Sequence, residues 1–349
     1  MNKELINEKE IEENTPMTTS AGHDTHAKEE PPQKPATEVA ASADDPIICA
    51  IDHGYANIKT PTMCFPANVL PCEDELFFTR DILCFDGKHY IIGIGHKEFR
   101  AFKNMDEDYY ILTLAAIAKE FKKKNLTNGK VILAVGLPLT WVEEQGAQFK
   151  EYLLKNKAVD FTYQDTHYHV DFIDAIVLPQ GLSAIVTKLN RFTGTNMLVD
   201  IGNGTMNVMY IINRMPDKKR FFTEKFGTYQ CIIQARELLL RKCGHLPSDS
   251  QIETYLRTMK ADVTEKYQKV IQEAAQRYVN EIFRRLREHE YNPDDTMLYV
   301  VGGGGCLIKN FGTYDKDRVI IIDDIKATAK GYELLAKAIL KRRKDGKEQ

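Results

Sequence analysis

Three apolar runs of strand length end in aspartate or glycine clusters and set the frame of the chain. Residues 48–51 lead into Asp52-His-Gly-Tyr55, residues 197–199 into Asp200-Ile-Gly-Asn-Gly204, and residues 297–301 into Gly302-Gly-Gly-Gly305. A strand that stops at Asp-x-Gly turns tightly, and the free N–H groups of such a turn can hold phosphate oxygens. The first run predicts a hairpin over 47–65, with a strand at 57–65 returning from the turn at 52–55. The second predicts another hairpin, with Leu198 and Val208 flanking its turn.

Between these hairpins, strands and helices alternate. Residues 82–85 and 90–94 pair through Asp86-Gly87, a strong hairpin signal. Apolar positions at Ile111, Leu114, Ala118 and Phe121 predict a helix over 106–124. A buried strand at 131–135 closes on Gly136-Leu-Pro-Leu-Thr140, then a helix over 142–154 and an alternating strand over 167–173 follow. Gly227-Thr228 opens a helix to about Cys243, stopped by Gly244. A stripe of Tyr267, Ile271, Ala274, Tyr278, Ile282 and Leu286 marks a long helix over 264–288. Strands at 297–301 and 318–322 and a helix from Ala327 complete the pattern. Strand pairs followed by helices, occurring twice, imply an α/β fold of two duplicated domains flanking a cleft.

The start of the chain departs from this pattern. The first 45 residues hold no Phe, Tyr or Trp, and carry 11 acidic against 4 basic side chains, a net of −7. The remaining residues sum to +4, so the overall −3 hides an acidic tail on a nearly neutral body. Such a tail buries too little apolar surface to offset its ordering entropy and reads as disordered. The body is not basic enough to point to direct nucleic-acid binding. No apolar stretch follows a basic start, and no run reaches the length of a membrane span, so neither a secretory signal nor a membrane anchor is expected. Seven cysteines without a Cys-x-x-Cys pair fit a reduced, cytoplasmic setting.

Chemistry concentrates at the strand ends. Asp52 and Asp200, facing one another across a cleft, can hold the water shell of a magnesium ion on nucleotide phosphates. Each alone can equally cap its own turn. Lys59 can point back at a phosphate or stand as a solvated strand lysine. Gly202 and Gly204 permit close backbone approach, and the run 302–305 suggests passage of a ligand. His53 sits in the first turn, where it can sense phosphate or serve the turn alone. His167 and His169 share a strand face that reads more simply as solvated than metal-binding. Lys341 to Lys344 read as the soluble end of a packed helix.

The order of these motifs resembles the actin, sugar-kinase and heat-shock-chaperone ATPase superfamily. Within it the chain resembles the bacterial actin-like plasmid-segregation proteins of the ParM (StbA) group. The residues that carry this likeness are Asp52-His-Gly-Tyr-Ala-Asn-Ile-Lys59, Gly136-Leu-Pro-Leu-Thr140, Leu178-Pro-Gln-Gly181, Phe226-Gly-Thr228 and Val300-Val-Gly-Gly-Gly304. The resemblance covers roughly residues 46–342, leaving the tail over 1–45 without a counterpart, and implies a first domain over 46–190 with a helix at 327–342 packed back on it, a second domain over 191–326, and a basic tail over 343–349. It implies a first phosphate loop of Asp52, His53, Gly54, Tyr55, Asn57 and Lys59 and a second of Asp200, Gly202, Asn203, Gly204 and Thr205. Gly302, Gly303, Gly304 and Gly305 would hold the adenosine, with Gly227 near the ribose. Gln180 would orient the attacking water, with Asp200 as general base or water positioner. The implied cofactors are ATP, or GTP, with Mg²⁺ at Asp52 and Asp200. The implied activity is ATP hydrolysis coupled to self-association into filaments that move plasmid DNA through a ParR-type adaptor and a centromere-like site. A nucleotide-gated tether or a small-molecule kinase of the same superfamily is the alternative.

Overall fold

The computed structural model of the chain describes residues 45–72, 81–94 and 107–346. The expected acidic tail lies, but for Asp45, outside the described residues.

Two sheets carry the architecture. The first has nine strands: β1 (Ile47–His53), β2 (Asn57–Lys59), β3 (Cys64–Pro66), β4 (Val69–Cys72), β5 (Ile82–Phe85), β6 (Lys88–Ile92), β7 (Asn128–Leu137), β8 (Ala158–Tyr163) and β9 (Thr166–Pro179). Their order is β3-β2-β1-β7-β9-β8-β5-β6-β4. β1, β7 and β9 run parallel at its centre. The second sheet has five strands: β10 (Thr195–Ile201), β11 (Met206–Ile212), β12 (Met215–Glu224), β13 (Met297–Val301) and β14 (Val319–Ile321). Their order, β12-β11-β10-β13-β14, repeats the hairpin-plus-parallel-neighbour plan of β2-β1-β7.

Helices cover both faces of each sheet, which explains why the central strands read as continuous apolar runs rather than alternating ones. In β1, Cys49 and Ile51 face a core shared with α1 (Glu107–Lys123), including Leu114 and Phe121. Ala50 faces the opposite way, toward α7 (Ala327–Asp345), where Tyr332 and Ala336 pack over Ala134 and Ile176. In β10, Met197, Val199 and Ile201 pack on α3 (Thr228–Cys243) and α5 (Glu265–Glu288). Leu198 points instead to the layer that holds Ile185, Phe192 and Tyr299. Each large side chain so buried contributes about 1.5–3 kcal/mol.

Several elements differ from the sequence reading. The returning segment 57–65 is two short strands, because Thr60 folds the chain between them: its amide donates to the Met63 carbonyl at 2.9 Å and its hydroxyl accepts from the Met63 amide at 3.1 Å. The strand expected over 167–173 runs from Thr166 to Pro179, since its second half, 175–179, lies beside β7 at the centre of the sheet. β12, a 3-10 helix (Leu182–Arg191) and α4 (Asp249–Thr258) were not anticipated. Residues 304–311 form α6 (Gly304–Phe311) instead of a glycine loop. α7 continues to Asp345, so the basic stretch begins inside a helix. α2 (Leu139–Leu153) starts three residues early, directly after Pro138.

Candidate nucleotide site

Asp52 and Asp200 occupy equivalent ends of β1 and β10, and both line one cleft of about 650 Å³ between the two sheets. That volume suits a nucleotide-sized ligand.

The first loop turns within two residues: the Gly54 amide donates to the Asp52 carbonyl at 3.0 Å. A Cβ on Gly54 would lie 2.6 Å from the Asn57 carbonyl oxygen, so only glycine fits. The hairpin register sets Asp52 opposite Lys59. Lys59 Nζ donates to Asp52 Oδ2 at 3.2 Å, and Gln180 Nε2 donates to Asp52 Oδ1 at 3.3 Å. Asp52 is 5 % exposed, and these two donors supply the partners that a buried carboxylate requires. The negative charge of Asp52 raises the Lys59 pKa, with Asp200 adding to it, so the ammonium stays charged at the cleft wall. Burial alone lifts the Tyr55 hydroxyl to about 12, leaving it neutral beside the loop. Asn57 also lines the cleft.

His53 also lines the cleft, but its ring packs against the core. Its ring is fully buried, with Nε2 2.8 Å from the Thr113 hydroxyl on α1, and it meets Tyr109 and Phe149 edge-on. The imidazole is thus packed and hydrogen-bonded as a core group.

The second loop closes when the Gly202 amide donates to the Thr205 carbonyl at 2.9 Å. It is clamped to the start of α3: the Thr228 amide donates to the Gly202 carbonyl and the Tyr229 amide to the Asn203 carbonyl. The Thr228 hydroxyl donates to Asn203 Oδ1 at 3.3 Å. Gly202, Asn203 and Thr205 line the cleft. Gly227 is buried behind them, where a Cβ would lie 2.2 Å from the Asn203 carbonyl oxygen. Its lack of a side chain is explained by this helix-to-loop contact.

The glycine run divides. Gly302 has φ +83°, and a Cβ there would lie 2.6 Å from Asp200 Oδ1, so it seats the second carboxylate. Gly303 lines the cleft with open space around it. Gly304 and Gly305 are buried in the first turn of α6, where a Cβ would meet Ile201 at 2.3 Å and Ile321 at 3.0 Å. Packing explains these two, correcting the expectation that the run as a whole reflects passage of a ligand.

The far wall of the cleft was missed in the sequence. Glu253, Leu256 and Arg257 of α4 and Cys306, Lys309 and Asn310 of α6 complete it. The Asn310 amide ties the two helices by donating to the Leu256 carbonyl at 3.0 Å. Burial, then the neighbouring Asp249, raises the Glu253 pKa. The signal for α4 in the sequence is its capping box, in which Ser248 and Gln251 exchange hydrogen bonds. His167 and His169, away from the cleft, both contact Asp160.

Comparison with known proteins follows the same outline. Residues 50–182 match the family model described as the N-terminal domain of actin-like proteins. No curated protein matches the chain. Among solved structures, the actin-like protein Alp7A superposes with a TM-score of 0.69 at 13% identity, covering 86% of this chain and 99% of that one. A 15-stranded ParM filament from Clostridium botulinum gives 0.68 at 18% identity, covering 84% and 99%. Ta0583, an archaeal actin homolog in complex with ADP, gives 0.65 at 20% identity, covering 84% and 99%. Residues 50–182 thus match the actin-like N-terminal domain family, and the described body has the actin-like fold.

Proposed function

We propose that the protein is a cytoplasmic, filament-forming ATPase that moves plasmid DNA. The observation that carries this reading is the convergence of Asp52, Lys59, Gln180 and Asp200, from two sheets, on one cleft. The solved ADP complex of a similar fold and the ParM filament support a nucleotide in that cleft and self-association.

The two loops and Lys59 bind the phosphates, while Gly302, Gly303 and the α4–α6 wall enclose the nucleoside. Gln180, held to Asp52 through its amide N–H, keeps its carbonyl oxygen available to orient a water molecule. Asp200 faces the same space as general base or water positioner. A pair of carboxylates on one cleft suits Mg²⁺, which keeps several waters and takes one or two carboxylates besides phosphate. Asp52 and Asp200 would hold it, and it would supply neutralising charge to the phosphates. Head-to-tail contacts that do not close give open filaments. Hydrolysis then turns the filament over if its contacts differ by a few kcal/mol between ATP and ADP states. A ParR-type adaptor, not the filament itself, would bind the centromere-like DNA.

Pelleting with Mg-AMPPNP and with Mg-ADP, followed by electron microscopy of the pellets, tests the reading. Filaments with the triphosphate analogue and a soluble chain with Mg-ADP are expected. Tight nucleotide binding without any polymer would overturn the filament part and favour a tether or a kinase.

A further inference from the structure

A hydroxyl stands beneath the site where an apolar side chain would pack more simply. Tyr332, on α7, is fully buried in the layer between that helix and the first sheet, among Ala50, Ala134, Ile176 and Leu178. Its phenol reaches the end of β7, where a Cβ on Gly136 would lie 1.9 Å from Oη. The same point lies 2.8 Å from the Leu178 carbonyl oxygen, two residues before Gln180. Gly136 of the Gly-Leu-Pro motif is therefore glycine because the phenol occupies its side-chain space.

Among the described residues, Tyr332 Oη has no hydrogen bond of normal geometry. A buried hydroxyl in that state destabilises a protein relative to phenylalanine of the same shape. Its surroundings point to a task. Burial first, then the charges of Asp52 and Asp200, hold the phenol pKa well above its usual value, and the Gln180 side chain acts in the opposite sense. The hydroxyl thus stands within reach of the electrostatic influence of all three cleft residues, beside the end of the strand that leads into Gln180.

We propose that Tyr332 is a positioning residue for Gln180 when nucleotide fills the cleft. A side-chain amide carries two N–H donors. One Gln180 N–H already points at Asp52 Oδ1. The second donates to Tyr332 Oη, and the phenol O–H donates in turn toward the Leu178 carbonyl. Both amide hydrogens are then committed, so the carbonyl oxygen of Gln180 must face the cleft, where it orients water. Without the phenol the amide can flip. The arrangement also ties α7 to the hydrolytic centre, so the seating of that helix sets the orientation of Gln180. The proposal rests on the hydrolysis reading above.

The test is phosphate release by the full-length chain across a series of Mg-ATP concentrations, for the parent, Tyr332→Phe, Gln180→Ala and the double variant. Tyr332→Phe is expected to lower kcat roughly tenfold, the scale of a lost supporting contact, with KM within about twofold. Its thermal midpoint should equal or exceed that of the parent, which separates positioning from a structural defect. In the Gln180→Ala background the same substitution should change kcat by less than about twofold. A Tyr332→Phe variant that turns over at the parent rate, or an equal loss in both backgrounds, overturns the assignment alone. A parent that releases no phosphate overturns the hydrolysis reading and this assignment with it.

Discussion

Lys59 Nζ lies 3.2 Å from Asp52 Oδ2, directly across the β1–β2 hairpin, so the first loop of the cleft carries a cation and a carboxylate as one preformed pair. The pair is largely buried, with side-chain exposures of 22 % and 8 %. Lys59→Met keeps the aliphatic stem and removes the charge. It should raise the Kd for Mg-ATP about tenfold or more, since a charged contact to phosphate is lost. It should also lower stability by about 1–2 kcal/mol, because of the two side chains that donate to Asp52 only Gln180 is left. Calorimetric titration and urea unfolding measure the two effects.

Asp200 serves the cleft rather than the core, standing at the strand end with Gly302 beside it. Asp200→Ala should reduce phosphate release about 100-fold or more and leave the thermal midpoint within a few degrees of the parent. A variant hydrolysing ATP at the parent rate would show the site to be elsewhere.

Neighbouring glycines in the same run should respond oppositely to a methyl group. Gly304→Ala drives a Cβ into Ile201 and should cost about 1–3 kcal/mol by overpacking. Gly303, at φ −64° with open space around its Cβ position, should accept alanine with little change in unfolding midpoint. Equal losses at both positions would contradict the division of the run.

Asp174 joins β9 to two helices, accepting from Lys150 of α2 at 2.5 Å and from Arg343 of α7 at 2.9 Å. Burial pushes its pKa up, but those two cations and the Ala175 amide outweigh it and hold the carboxyl below its usual 3.8. A depressed folded-state pKa stabilises the fold above the unfolded value and loses that contribution as pH falls through the folded value. Asp174→Asn should therefore cost about 1 kcal/mol at neutral pH, and the gap to the parent should close as the pH falls below 3.8. Thermal unfolding of both proteins across pH 3 to 7 measures it.

Much of this arrangement was legible in the sequence because central strands and amphipathic helices leave strong signals. β1, β10 and β13 are apolar on both faces and end at their Asp or Gly, and α5 shows its buried stripe residue by residue. What escaped is what depends on distant contacts. β12 is an edge strand with Lys218, Lys219 and Arg220 in its middle, so no apolar run announces it. Gly304 and Gly305 looked like ligand glycines because Ile201 and Ile321, which explain them, are far away in sequence. His53 sits in the turn beside Asp52, yet its ring goes to Thr113 on α1. Tyr332 sits 152 residues from Gln180, and no local pattern marks it as part of the site.

The central claim, a filament coupled to hydrolysis, is tested most directly by recording light scattering and phosphate release on one sample after adding Mg-ATP, with Mg-ADP as the comparison. The account predicts that scattering rises with ATP, that phosphate release follows, that scattering then decays, and that Mg-ADP produces no such rise. Phosphate release without any scattering change across the concentration range would contradict it.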